Sequence, residues 1–261
     1  MKDRIRKICK NLEKEKNIKI LFAVENGSRA WRMDSKDSDY DVRFVFVRPM
    51  KEYIQITRPE EVINIAFDEK GNQCSAKGAL IDISGFDIFK YVKLLSSSNP
   101  TTIEWLISDI IYYGTQNKAL KKYATENFSK LSLYHHYKSM CKNNYIKFLK
   151  PKNQATYKKY LYAYRGLINA KWVVYKKTVP QIIFNDALEK MKNVIPDSVL
   201  NKLKEIIDLK SHGKEKDIIK NIMILDKYIE DFLKDDSEAP TKKSHATLND
   251  LNEELRKIIL N

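Results

Sequence analysis

The run Ile18-Lys19-Ile20-Leu21-Phe22-Ala23-Val24-Glu25-Asn26-Gly27-Ser28-Arg29-Ala30-Trp31, followed by Ser38-Asp39-Tyr40-Asp41-Val42-Arg43-Phe44, decides how the rest of the chain is read. Ile18 to Val24 is apolar apart from Lys19 and predicts a short buried strand. It ends at Asn26-Gly27, where glycine accepts the tight backbone of a strand-to-helix turn. Ser28 then falls at a helix N-terminus, where unpaired N–H groups and a hydroxyl can receive phosphate oxygens. Ten residues separate Ser28 from Asp39. The next strand, Tyr40 to Val47, carries Asp39, Asp41 and Arg43 at period two, which sends all three side chains to one face of the sheet. Two carboxylates on one face repel each other unless a cation lies between them. A phosphate cradle beside a divalent-metal site is the layout that nucleotidyl transfer requires.

Outward from this core, Ile5, Ile8, Cys9 and Leu12 recur at helical spacing and predict an amphipathic helix ahead of the first strand. Tyr53 to Thr57, Val62 to Phe67 and Ala79 to Ser84 read as further strands, with a hairpin turn at Glu69-Lys70-Gly71-Asn72 and a break at Gly85. Asp87 to Leu95 reads as helix. Asn99-Pro100 marks a boundary, after which the pattern is helical: near 101–108, 117–126, 131–149, 154–176, 181–193, 198–210 and 216–234. Pro151, Pro180 and Pro196 fall between these helices, where a missing N–H does least harm. The stretch from Asp235 to Ala246 reads as a linker. Leu248, Leu251, Leu255, Ile258 and Ile259 form a last amphipathic helix that folds back or meets a partner, folding back being the preferred reading. The expected organisation is an α/β domain over 1–98 (a small mixed sheet with flanking helices), an all-helical domain over 99–234, and a linker with a helix over 235–261.

The chain has 261 residues, with 48 Lys and Arg against 34 Asp and Glu, a formal charge of +14 and a sequence pI near 9.4. That balance suits a polyanionic partner such as RNA, DNA or an NTP, and equally suits a lysine-rich solvated surface, so charge alone decides nothing. Cys9, Cys74 and Cys141 are far apart and lack zinc or disulfide spacing. Met1 to Lys16 has no apolar signal segment, and no run is long enough to span a membrane, so a cytoplasmic protein without membrane partners is expected.

Gly27-Ser28, a gap, and Asp39-x-Asp41 on a strand resemble the signature of the DNA polymerase β nucleotidyltransferase superfamily. The wording Gly27-Ser28-Arg29-Ala30-Trp31 and Ser38-Asp39-Tyr40-Asp41-Val42-Arg43 is similar to one branch, nucleotidyltransferases associated with RNA repair, the YcgL-like or RlaP family. Asp82-Ile83-Ser84-Gly85-Phe86-Asp87 and Lys159-Tyr160-Leu161-Tyr162-Ala163-Tyr164-Arg165 also resemble that branch, and the likeness spans about residues 15 to 235. The family usually has Gly after Ala-Trp, where this chain has Arg32.

The resemblance implies a metal-dependent enzyme of the EC 2.7.7 type. It would transfer a nucleoside monophosphate from an NTP (ATP favoured) to a hydroxyl, most readily an RNA end resembling tRNA, and release pyrophosphate. Asp39 and Asp41 would hold Mg²⁺ or Mn²⁺, with Asp82 as third carboxylate because a charge between Ile81 and Ile83 on a strand needs a reason. Asp87, its competitor, suits the start of the following helix. Asp82 is also the place such sites put a proton acceptor for the attacking hydroxyl. Gly27, Ser28 and Arg29 would bind the nucleotide, and Arg43 either meets phosphate or orients Asp41. Lys158, Tyr162, Arg165 and Asn169, spaced +4, +3 and +4, form one stripe on an otherwise apolar helix. Lys158 and Arg165 read as grips on the triphosphate and Tyr162 as a stacking or hydrogen-bonding group, the active site lying in the cleft between the domains. Trp31 reads as packing, and the adjacent His135 and His136 point about 100° apart on a helix, which makes them poor joint ligands. Two other readings stay open: transfer to a protein side chain, and a silent nucleic-acid or nucleotide binder on the same fold.

Overall fold

Ile5, Cys9 and Leu12 are the buried face of the first helix in the computed structural model of the chain. The structure describes residues 1–36, 38–210, 212, 217–241 and 248–260. The chain divides into two units, one taking Met1–Ala30, Ser38–Phe128 and the C-terminal helix, the other Trp31–Asp37 and Ser129–Ser244.

In the first unit the order is α1 (Lys2–Lys16), β1 (Lys19–Asn26), a short α2 (Gly27–Ala30), β2 (Tyr40–Val47), α3 (Met50–Tyr53), β3 (Val62–Phe67), β4 (Gln73–Cys74), β5 (Ile81–Asp87), α4 (Ile88–Ser96), α5 (Pro100–Ile107), β6 (Ile111–Gly114) and α6 (Lys118–Glu126). The six strands form one mixed sheet in the order β4-β3-β5-β2-β1-β6. β2 and β5 run parallel, and every other neighbouring pair is antiparallel. Val42, Phe44 and Phe46 alternate on β2 and meet Ile81, Ile83 and Ile63 in a core closed by Ile5, Cys9 and Leu12 of α1. The residues between them, Asp41, Arg43, Asp82 and Ser84, therefore share the opposite face.

The second unit contains α7 (Lys130–Asn144), a π-helical turn (Tyr145–Leu149), α8 (Tyr157–Tyr175), α9 (Phe184–Lys190), α10 (Asp197–Leu209) and α11 (Met223–Lys234). α8 is its centre, burying Tyr160, Leu161, Ala163, Tyr164, Leu167, Ile168 and Ala170. The buried phenols are satisfied: Tyr160 donates to Asp226 at 2.7 Å and Tyr164 to the Leu225 carbonyl at 2.9 Å. The final helix, α12 (Leu248–Leu260), folds back into the first unit, where it packs on α4 and α6 and Asn117 donates to Glu254 at 2.7 Å.

Several elements differ from the sequence reading. Tyr53 to Thr57 is no strand: Tyr53 ends α3, and its hydroxyl accepts the Arg48 N–H and donates to Asp87, both at 2.8 Å or less. Gly85 does not break β5, which runs on to Asp87, because the missing Cβ makes room for the Phe44 ring of the neighbouring strand. β6 lies beyond the expected boundary at residue 98 and pairs with β1, so the first unit extends to Phe128. α9 starts at Phe184, whose N–H bonds to the Trp31 carbonyl at 3.1 Å. α11 starts only at Met223, because Ile218 bridges Thr156 in extended conformation; residue 216 lies outside the described residues. The expected linker over 235–246 is described only to residue 241.

A Cβ on Gly85 would lie 2.2 Å from the Phe44 ring, which is fully buried. Gly85→Ala is expected to cost about 1–3 kcal/mol through overpacking. Thermal melts should show a lowered Tm that Phe44→Leu in the same chain partly restores; an unchanged Tm for the single variant contradicts this packing.

Candidate active site

The strand-to-helix turn at Gly27 is fixed by two constraints at once. Its φ is +65°, a left-handed backbone that glycine adopts without a Cβ penalty, and a Cβ there would lie 1.9 Å from Asp41 Oδ2. Gly27 is thus the residue that lets the turn pass directly against the Asp41 carboxylate. Ser28, next to it, is 3% exposed at the start of the four-residue α2.

The parallel register places Asp41 directly opposite Asp82. Arg43, two residues along β2, spans both: its Nη2 lies 3.1 Å from Asp41 Oδ1 and 2.9 Å from Asp82 Oδ2. Its Nη1 donates to the carbonyls of Val42 and Asp82 at 3.0 and 3.2 Å. All three side chains are only partly exposed, so these charge-assisted bonds are screened less than surface pairs. Asp87 faces another task. It pairs with Phe46 in the register, and its Oδ1 accepts the Phe89 N–H at 2.9 Å as the N-cap of α4.

Arg29 is oriented towards the backbone. It donates from Nε to the Asp39 carbonyl at 3.0 Å and from Nη2 to the Ser38 carbonyl, with its guanidinium 4.0 Å from the Tyr40 ring centre. It holds the entry to β2, and so the level at which Asp39 leaves the loop.

Sequence reasoning missed a fourth carboxylate. Glu25 is 1% exposed at the end of β1; its Oε1 accepts the Asp41 N–H at 2.8 Å, and its Oε2 accepts the Tyr112 hydroxyl. β6 delivers Tyr112, and Ser108 just before it donates to the Glu25 carbonyl at 2.8 Å. Burial pushes the Glu25 carboxyl up from 4.5 to about 7, opposed by the bonds it accepts from Tyr112 and the Asp41 backbone. The one sequence signal was a Glu closing an otherwise apolar strand.

The stripe on α8 is also present, but it is largely covered within its own unit. Arg165 is 5% and Asn169 3% exposed. The Arg165 guanidinium stacks 3.6 Å from the Trp31 ring centre, and Tyr162 meets the same ring edge-on at 5.5 Å. Lys158 lies 5.9 Å from the Tyr162 ring. Arg32, where the family usually has Gly, takes a φ of 55°, a left-handed backbone that glycine fills without strain.

Among the described residues no three His, Cys, Asp or Glu side chains converge as a preformed metal cage. Asp41 and Asp82 are nevertheless hard oxygen donors facing one way, beside a backbone turn that lacks a Cβ. Mg²⁺ is commonly held by one or two carboxylates together with substrate phosphates, and the residues fit that arrangement rather than a metal held by protein alone.

Because the folded chain keeps Glu25 protonated to higher pH than the unfolded chain does, its contribution is fully present below about pH 4.5 and is lost as pH rises through about 7. In chelator-containing buffer, the stability of the natural chain relative to Glu25→Gln should fall across that window by something of the order of 3 kcal/mol. Urea denaturation at a series of pH values measures the difference; a flat difference contradicts the raised carboxyl.

No helix among the described residues is long and apolar enough to cross a membrane. A relative in Bacillus subtilis (strain 168), "Uncharacterized protein YcgL", is 32% identical over 263 residues, spanning 100% of this chain and 96% of that protein. The crystal structure of a nucleotidyltransferase-like protein from Exiguobacterium sibiricum 255-15 aligns over 98% of this chain and 76% of its own at 13% identity. Its TM-score to this chain is 0.31. The profile of the family described as "RlaP: RNA repair pathway DNA polymerase beta family" matches residues 1–257. With the whole sheet and both carboxylate strands inside that match, the chain belongs to the RlaP family of the DNA polymerase β superfamily, which supports a nucleotidyltransferase-type function.

Proposed function

We propose that the protein is a metal-dependent nucleotidyltransferase that moves a nucleoside monophosphate from an NTP, ATP favoured, to a hydroxyl at an RNA end, with release of pyrophosphate. The observation that carries this reading is the in-register pair Asp41 and Asp82, with Gly27 brought so close that a Cβ would overlap the Asp41 carboxylate. A binder of polyanions gains nothing from paired carboxylates beside a phosphate turn.

In this reading Gly27 and Ser28 receive the triphosphate through backbone N–H and hydroxyl donors. Asp39, Asp41 and Asp82 would hold Mg²⁺ or Mn²⁺. The bound ion would supply charge stabilisation for the attacking and leaving oxygens. Glu25 fixes the Asp41 backbone, and Arg29 fixes that of Asp39, so two of the three carboxylates are set by bonds to their own main chain. Arg43 keeps Asp41 and Asp82 from repelling each other before substrate arrives. The acceptor hydroxyl attacks the α-phosphorus, and Asp82, placed across the register from Asp41, takes its proton.

The test is incubation with each α-³²P-labelled NTP, Mg²⁺ or Mn²⁺ and a pool of small RNAs including tRNA, beside the Asp39→Asn/Asp41→Asn protein. Label entering RNA from one NTP is expected, with a loss of at least about 100-fold in the variant, the scale on which removing a positioned charge acts. Label on protein moves the acceptor to a side chain. NTP binding that ignores both metal and the substitutions, without transfer, overturns the catalytic reading.

A further inference from the structure

Phe148 lies in the π-helical turn that follows α7, and two ammonium groups converge on its ring. Lys159 Nζ is 3.6 Å and Lys147 Nζ 5.1 Å from the ring centre. Their charges are therefore no further apart than the sum of those distances, within about one Debye length at physiological salt. Neither lysine forms an ion pair with a carboxylate among the described residues, whereas Lys138 and Lys171 of the same unit pair with Asp236 and Glu238.

The local backbone makes the concentration of positive charge worse. Lys158 and Lys159 occupy the first turn of α8, which contains no acid, and cations at that end oppose the helix dipole. Burial first, then the charges of Lys158 and Lys147, push the Lys159 ammonium down from its ordinary value. The π-helical turn also departs from regular helix, a feature that recurs at functional sites.

The sequence around this point extends the pattern. Residues 127 to 185 contain 12 Lys and Arg and no Asp or Glu. A small anion would need one cradle. A stretch of this length without a single acid, holding a ring between unpaired lysines, suits a flexible chain of phosphates carrying stackable bases. A lipid surface is the poorer match, because the ring is partly covered by Lys159 instead of projecting as an apolar anchor.

We propose that Lys147, Phe148 and Lys159 form a binding site for the backbone of single-stranded RNA, on the helical unit and separate from the carboxylate strands. The proposal rests on the reading of RNA as acceptor and names residues of the helical unit that would hold it. The two lysines neutralise successive phosphates, and the Phe148 ring keeps both ammonium groups in place until the phosphates arrive.

The experiment measures anisotropy of a fluorescein-labelled single-stranded RNA of about twelve nucleotides with the full chain over a salt series. Lys147→Ala/Lys159→Ala and the charge-keeping Lys147→Arg/Lys159→Arg proteins are measured beside it. NTP binding and thermal melts are recorded for each. The alanine pair should bind RNA about tenfold more weakly, with a salt slope reduced by about 1.4, while the arginine pair keeps the natural affinity and NTP binding is unchanged in both. Equal RNA affinity and slope in the natural and alanine proteins overturn this site and leave the transferase reading standing. A natural chain that binds no RNA yet transfers label from an NTP overturns the site and the RNA acceptor together, but not the chemistry.

Discussion

The parallel pairing of β2 with β5 is the constraint on which the first unit depends. It sets two aspartates side by side, an arrangement that is unfavourable unless something positive lies between them. Arg43 meets that need from the same strand as Asp41, two residues on, because a strand returns to the same face at that spacing. Its Nη1 donates to the carbonyls of Val42 and Asp82, so the guanidinium is held in its plane instead of swinging free. The polar face is thus an electrostatic balance in which one guanidinium offsets two carboxylates.

Behind that face lies a second, buried arrangement. Glu25 receives the Asp41 N–H on one oxygen and the Tyr112 hydroxyl on the other, and Ser108 takes up its own carbonyl. A buried carboxylate is costly to ionise, and these donors are what make its place in the sheet tolerable. The main chain at Asp41 is anchored from beneath by β1 and β6, while its side chain is held from above by Arg43.

What could be read from the sequence was local. The β1 run, the glycine turn and the period-two charges of β2 lie within thirty residues of one another, and each follows from hydrophobic alternation or turn chemistry. Asp82 was singled out by its aliphatic neighbours, but its register with Asp41 is a non-local pairing that no spacing encodes. β6 escaped because four residues, Ile111 to Gly114, lie among helical patterns, and their partner strand is far earlier in the chain. Glu25 was missed for the same reason, since Tyr112, which explains it, is 87 residues away. Arg165 read as a grip on phosphate from its place in a polar stripe, and helical spacing reveals such a face but not the Trp31 ring that stacks on it. Gly85 read as a breaker because the Phe44 ring that fills its missing side chain belongs to another strand.

β6 and α12 also bear on how the chain can be made and divided. The first unit takes its sixth strand from residues 111 to 114 and its closing helix from residues after the whole helical unit. During synthesis the β1 edge stays open until β6 emerges, and the surface of α4 and α6 waits until α12 emerges. An open strand edge is a template for pairing with other chains. No single cut therefore releases the first unit whole: a fragment ending before the helical unit keeps its sheet but lacks its closing helix.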